Sequence, residues 1–348
     1  MNLSGRKRAS SANFSEDADK RKAIHHMKEI SIKDIEGIRI GQTENPEAGT
    51  GMTVFISEKG MRAGVDVRGG GPASRDSMLL NPLMNAQVIY SIVLGGGSAF
   101  GLGASNGVMD YLEERDIGYD VGVTKVPLVV QSDIFDLKTA DKSVRPDAAM
   151  GYEAARCAFE LGNYKDGNYG AGCGATIGKI NGMDTCMKAG IGSYAVQIGE
   201  LKVGAVVVLN ALGDIYDRKT GKKIAGCLKK DKSGFRDTIE ALKERVGVAE
   251  DFFAGNTTLA VIITNGYFDK TRLCKIAGMG HDGYARSIKP VHTTADGDSI
   301  YAVSVGDVEA NIDLVGTVAG EVISEAITRA VYSAESAYGI TALKDLKF

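Results

Sequence analysis

The sequence predicts an α/β layered fold with sheets sandwiched between helices, and three observations lead to it. Apolar, β-branched runs at Val88–Leu94, Leu201–Asn210 and Thr257–Thr264 have the length and content of buried strands. Apolar residues recur at helical spacing over 99–114, 147–161, 270–286 and 310–338. The two patterns alternate along the chain, and such alternation packs helices onto sheet faces.

Taken in order, residues 1–29 are polar, mixed in charge and without the apolar stretch of a secretory signal, so they read as a disordered tail. Arg6-Lys7-Arg8, His25 and His26 fall in that tail and carry no expected role. From Ile30 to Val67 short alternating runs (38–41, 51–56, 63–67) separated by Asn45-Pro46 and Lys59-Gly60 predict a β-meander. Arg68-Gly69-Gly70-Gly71-Pro72 ends the third run, where the backbone can approach another strand or a substrate closely. Ser98 is placed to cap a helix from Ala99 to Glu114 whose apolar face includes Phe100, Ala104, Val108 and Leu112. Strand, glycine turn and helix suggest a phosphate cradle, but neither this segment nor Gly170–Lys179 has the required spacing, so nucleotide binding is rejected. A glycine-rich strand over 170–180 is expected to meet 183–199 across the Asn181-Gly182 turn. Asn210 closes the following strand, where a carboxamide must find partners. The segment from Asp214 to Asp251 is polar with one amphipathic helix candidate, and beyond it Ser299–Val305 alternates as a strand. On the 270–286 helix, His281 reads as a satisfied structural histidine.

Composition narrows the function. The 348 residues carry 41 Lys and Arg against 44 Asp and Glu, a net charge of −3 that leaves no footprint for nucleic acid. No apolar stretch is long enough for a membrane span. Five scattered cysteines, Cys157, Cys173, Cys186, Cys227 and Cys274, lack metal-ligand spacing and read as reduced, packed residues of a cytoplasmic protein.

The chemistry concentrates at Ala254-Gly255-Asn256-Thr257-Thr258. A charged approach leads to a small-residue junction, and a rigid strand follows. Attack of the Thr257 hydroxyl on the carbonyl of Asn256 would free a threonine with its own α-amine, a built-in base titrating near pH ~8. Asp296-Gly297-Asp298 supplies two carboxylates expected to converge on Thr257, one bonded to its hydroxyl or ammonium and the other orienting the first. The plainer reading of that triplet is a turn, and of Lys179 a solvated hairpin lysine.

The junction, the runs His281–Arg286 and Pro290–Asp298, and the glycine loops at 68–72, 94–102 and 167–179 together resemble the P1 family of self-processing aminopeptidases and amidases. That family includes the L-aminopeptidase/D-alanyl-esterases and the nylon-oligomer hydrolases, and the resemblance runs from about Ile30 to about Ala337. It implies an αββα sandwich like that of the N-terminal-nucleophile hydrolases, differently connected. It also implies one catalytic domain over 30–348, cut into 30–256 and 257–348, assembled as a homotetramer or larger and needing no metal or organic cofactor. By this resemblance Thr257 is the nucleophile, Asp296 and Asp298 match the acidic pair of the nylon-oligomer branch, Asn210 helps hold the oxyanion, and Lys179 places a positive charge nearby. The implied substrate is a short peptide, an amino-acid amide or a similar linear amide. Phe135 departs from the pattern, because the hydrolase branch has a tyrosine before the Asp-Leu that here is Asp136-Leu137. Two rival readings are an ornithine-acetyltransferase-like acyltransferase, whose Ala-Thr-Met-Leu cleavage motif is absent, and an uncleaved scaffold.

Overall fold

The structure, a computed structural model, describes residues 27–247 and 255–347. The tail residues 1–26 and the Ala254 end of the junction lie outside the described residues.

Ten strands build two facing sheets: β1 (Lys28–Ile30), β2 (Arg39–Asn45), β3 (Thr50–Val67), β4 (Ala73–Arg75), β5 (Ile89–Gly95), β6 (Val129–Asp133), β7 (Ile191–Ile198), β8 (Leu201–Asn210), β9 (Thr257–Gly266) and β10 (Ser299–Val308). The first sheet runs β1-β7-β8-β9-β10 and ends on the second half of β3. The other pairs the first half of β3 with β2 and β5, then continues through β6 to β4. Lys59-Gly60 is therefore not a turn between two strands. One 18-residue strand passes through it, its register shifting between Ile56 and Met61, and Gly60 at φ +78° absorbs the bend. This shared strand joins the sheets into one path.

Period-two alternation sorts the side chains into three apolar layers. Leu259, Val261 and Ile263 of β9, Val206 and Val208 of β8, and Tyr301 and Val303 of β10 face Phe55, Ile92, Leu94 and Val130 of the opposite sheet. The outward residues of the first sheet, including Val203, Val207, Ala260, Ile262 and Ala302, pack beneath helices. Those helices, after α1 (Ser105–Glu113), α2 (Ala148–Glu160) and the short α3 (Thr238–Lys243), are α4 (Lys270–Ser287) and α5 (Ile312–Tyr332). On the far side, Met52, Val54, Ile56 and Val93 meet α1 and α2. The order is helix, sheet, sheet, helix, as the αββα expectation has it.

Side chains start four of the helices: Asp147, Asp237, Asp269 and Asn311 each accept a first-turn backbone N–H. The Ser98 cap is a correction. Ser98 sits at φ 54° inside a 3-10 turn, Ser98–Ala104, the α-helix begins only at Ser105, and Phe100 is 63% exposed under Arg145 instead of joining the apolar face. The 170–199 hairpin also differs. Thr176–Ile177 does pair with Met187–Lys188, but two 3-10 turns at 179–181 and 183–185 fill the connection instead of a two-residue turn. Among the described residues no helix is long and apolar enough to cross a membrane.

Helices reach both sheets through glycines that a β-carbon would block. A Cβ on Gly192 of β7 would lie 2.3 Å from the Ala326 carbonyl oxygen and 2.4 Å from the Ala330 nitrogen of α5, and Gly41 on β2 meets α2 equally closely. Because both obstacles are backbone, Gly192→Ala is expected to destabilise the protein by about 1–3 kcal/mol. The check is a lower urea midpoint with an unchanged m-value.

Candidate active site

Three neighbouring strands bring the predicted residues together. Thr257, the first residue of β9, pairs with Asn210, the last of β8. On its other side β9 runs parallel to β10, and a bridge between Asn256 and Asp296 extends that pairing ahead of the strands. Asn256, Thr257, Asn210, Lys179, Asp296 and Asp298 are all buried. They gather beside a cavity of about 40 Å³ lined by Gly71, Asp133, Phe135, Gly255 and Thr257 among others. Wider surface clefts, such as the one of about 590 Å³ beside Arg75, contain none of them.

The peptide carbonyl of Asn256 is the centre of the arrangement. It accepts the Thr257 hydroxyl at 2.5 Å and the Gly297 backbone N–H at 2.9 Å. Gly255, at φ +69°, lies against Phe135, whose ring a β-carbon there would meet at 2.2 Å, so only glycine fits before the junction. Gly297 must also be glycine, since a β-carbon would come within 2.7 Å of the Thr257 hydroxyl oxygen.

The acidic residues stand around this junction, but neither carboxylate holds the Thr257 hydroxyl, which is engaged with Asn256. Asp298 accepts the Thr258 N–H at 2.7 Å, and its other oxygen accepts the His292 N–H at 3.1 Å and meets His292 Nδ1 at 2.9 Å. Asp296 accepts the N–H and hydroxyl of Thr293 at 2.7 and 2.6 Å. Burial first, and then the charge of Asp298, pushes the Asp296 carboxyl up to about 6. The triple glycine at 69–71 clamps this loop: the Gly71 N–H donates to the Asp296 carbonyl at 2.8 Å, and a β-carbon on Gly69 would strike Asp298 N at 2.3 Å. Of the two roles open to that triplet in the sequence, backbone support dominates, while Gly71 also lines the cavity.

Lys179 is not a solvated lysine. It is buried, and its ammonium donates to Asn210 Oδ1 at 2.7 Å and to the Gly255 carbonyl at 3.3 Å. Burial lowers its pKa to about 7. Asn210 Oδ1 also accepts the Thr176 N–H at 3.1 Å, while Nδ2 donates to the Phe135 carbonyl at 3.2 Å and so already has a backbone partner. Cys173 is buried against Tyr338 and the glycine loop, a packing position.

Several participants were not singled out in the sequence. The Gly297 N–H is a backbone group and leaves no residue signature. His292 and Thr293 fall in the run quoted around the acidic pair, yet only the folded loop shows which carboxylate each one holds. Asp133, wholly buried, lines the cavity with one carboxylate oxygen unpartnered, and burial raises its pKa well above the usual range. It lies two residues before Phe135, and nothing in its spacing marked it.

Two facing sheets between helix layers place the chain in the fold class of the N-terminal-nucleophile hydrolases. The profile of Peptidase family S58 matches residues 31–344. The chain is 34% identical over 339 residues to an uncharacterised aminopeptidase of Mycobacterium leprae, covering 89% of this chain and 92% of that one. It is 32% identical over 315 residues to a 6-aminohexanoate-oligomer endohydrolase of Paenarthrobacter ureafaciens, covering 85% and 84%. Among solved structures, a Burkholderia sp. beta-aminopeptidase superposes with a TM-score of 0.65 at 21% identity, covering 90% of each chain. The L-aminopeptidase D-Ala-esterase/amidase of Ochrobactrum anthropi, described as a variant of the Ntn hydrolase fold, also gives 0.65 at 17% identity, covering 87% and 86%. The chain belongs to Peptidase family S58 and is a hydrolase of the peptidase/amidase class.

The buried lysine gives a stability signature. A lysine whose folded pKa is depressed to about 7 lets the unfolded chain bind the proton first, so its contribution to stability is lost as pH falls from its ordinary range towards 7. Lys188, also buried and lowered to about 7, acts in the same sense. In a Thr257→Ala background, Lys179→Met is expected to reduce, and not abolish, the rise of the urea midpoint between pH 7 and 10.

Proposed function

We propose that the chain cleaves itself between Asn256 and Thr257 and that the freed Thr257 is the nucleophile of an aminopeptidase or amidase acting on short linear amides. The observation that carries this is the Asn256 carbonyl held at once by the Thr257 hydroxyl and the Gly297 N–H. In the first step the hydroxyl oxygen adds to the Asn256 carbonyl carbon. The negative charge developing on the carbonyl oxygen meets the Gly297 N–H already aimed at it, so little reorganisation is needed. The C–N bond breaks, the proton given up by the Thr257 hydroxyl ends on the leaving amine, and hydrolysis of the ester by water leaves residues up to 256 and 257–348 as two pieces.

In the mature enzyme the same hydroxyl attacks the substrate amide, an acyl-enzyme forms, and water releases it. Asp296 is the base we assign, because a carboxyl pushed up to about 6 takes a proton more readily than an ordinary one and is still ionised near neutrality. Asp298 holds Thr258 and so fixes the strand start that carries the nucleophile. Lys179, bonded to Asn210 and to the Gly255 carbonyl, adds positive charge beside the junction when protonated. The names of the relatives, aminopeptidase and 6-aminohexanoate-oligomer endohydrolase, favour a substrate of short peptides or ω-amino-acid oligomers. Phe135 at the cavity leaves that wall without a hydroxyl.

A denaturing gel of purified protein tests the reading. Wild type is expected to give two bands and Thr257→Ala one; a single wild-type band unchanged by the substitution would favour the uncleaved scaffold. Hydrolysis of aminoacyl amides is expected to peak between pH about 6 and about 7. Below that window Asp296 is protonated and cannot accept a proton; above it Lys179 loses its charge. Asp296→Asn is expected to lower the rate by about 10²–10⁴-fold.

A further inference from the structure

A line of four groups runs from the edge of the protein to the acidic pair. The Asp66 backbone carbonyl lies 3.1 Å from His281 Nε2. His281 Nδ1 lies 3.2 Å from His292 Nε2, and His292 Nδ1 lies 2.9 Å from Asp298 Oδ2. His281 is wholly buried. Tyr284, also buried, walls the pair with ring centroids 5.3 Å from His281 and 5.9 Å from His292. Beyond His281, the Asp66 carboxylate stands 3.4 Å from Nε2 and is paired with Arg68 at 3.0 Å.

Each of the three contacts needs one proton between its two atoms. A backbone carbonyl ends the line on one side and a carboxylate on the other, and neither donates. Two neutral imidazoles bring only two N–H groups. With Asp298 ionised and both histidines neutral, one contact would consist of two facing lone pairs about 3 Å apart in a largely buried site, a costly arrangement. The line therefore holds a third proton. Burial drives the pKa of His281 down to about 4, so the extra charge does not reside there.

We propose that His292 is a positioning residue of this centre. Together with Asp298 it retains the third proton, so the pair is electrically neutral and Asp296 alone carries the acidic charge of the site. The consequence for chemistry is separation of roles. Two neighbouring carboxylates oppose each other's ionisation, and neutralising one frees the other to be the base. The proposal fixes the tautomers: His281 carries its proton on Nε2, His292 carries one on Nε2, and the third lies between His292 Nδ1 and Asp298. The kinetic consequence rests on the threonine-nucleophile reading, whereas the proton count does not.

The experiment has two arms. The chain has four histidines, two of them His25 and His26. ¹⁵N-histidine spectra of the Thr257→Ala protein, assigned with His281→Asn and His292→Asn, are expected to show His281 neutral with its proton on Nε2 and His292 protonated on Nε2 at pH 6–8. A His292 with bare Nε2 facing an Nδ1–H of His281 would overturn the proposal. In the second arm, His292→Asn keeps an N–H for Asp298 but cannot hold the extra charge. Its acid limb in the rate of aminoacyl-amide hydrolysis is expected to move to higher pH by about one unit. A rate lowered equally at every pH would assign His292 a merely structural role and overturn the proposal, provided thermal melting confirms the fold. If wild type never cleaves, the nucleophile reading fails, and the spectra still decide the proton count.

Discussion

The parallel pairing of β9 with β10 is the constraint on which the rest depends. It lays the residues before β9 alongside those before β10, so Asn256 and Asp296 become partners although 40 residues separate Thr258 from the Asp298 that holds it. The backbone does the positioning. The Gly297 N–H reaches the Asn256 carbonyl only because Gly297 lacks a side chain and because Gly69 and Gly71 hold its loop from behind. Close backbone approach at several glycines is thus the physical means by which a reactive geometry is held in the folded state.

This arrangement is bought with buried charge. Lys179, Asp296 and Asp298 have little water around them, and each is kept by hydrogen bonds to groups fixed in the sheets or their loops. Removing such groups from water disfavours their charged forms, which is why a lysine and an aspartate approach each other in pKa, about 7 and about 6. Near neutrality each can then exchange a proton, as a site for acid–base chemistry requires.

Much of the architecture is legible in the sequence because it follows from local periodicity. The buried strand Leu201–Asn210 and the helices Ala148–Glu160 and Lys270–Ser287 follow directly from apolar runs and helical spacing. The misreadings have physical causes. Gly60 looks like a turn residue, yet its positive φ bends a strand whose hydrogen bonds pass from one sheet to the other. Ser98 looks like a cap, but the Gly95–Gly97 turn closes on Asp136, whose carboxylate takes the Gly97 N–H at 2.7 Å, and the chain leaves in a tighter helix. At the site, Thr257 and the two aspartates were visible as residue types in a pattern. The Gly297 N–H, the hold of His292 on Asp298 and the burial of Lys179 depend on long-range contacts that no local window contains. His281, read as a satisfied helix histidine, is satisfied, but its partner is the histidine that reaches the acidic pair.

The central claim is that Thr257 acts on the bond that precedes it within its own chain. The most direct measurement is a time course of precursor conversion, followed by intact mass over a wide range of protein concentration. The account predicts a first-order rate independent of concentration and a new N-terminus at Thr257. A rate that rises in proportion to concentration, or a break at any other bond, would contradict it.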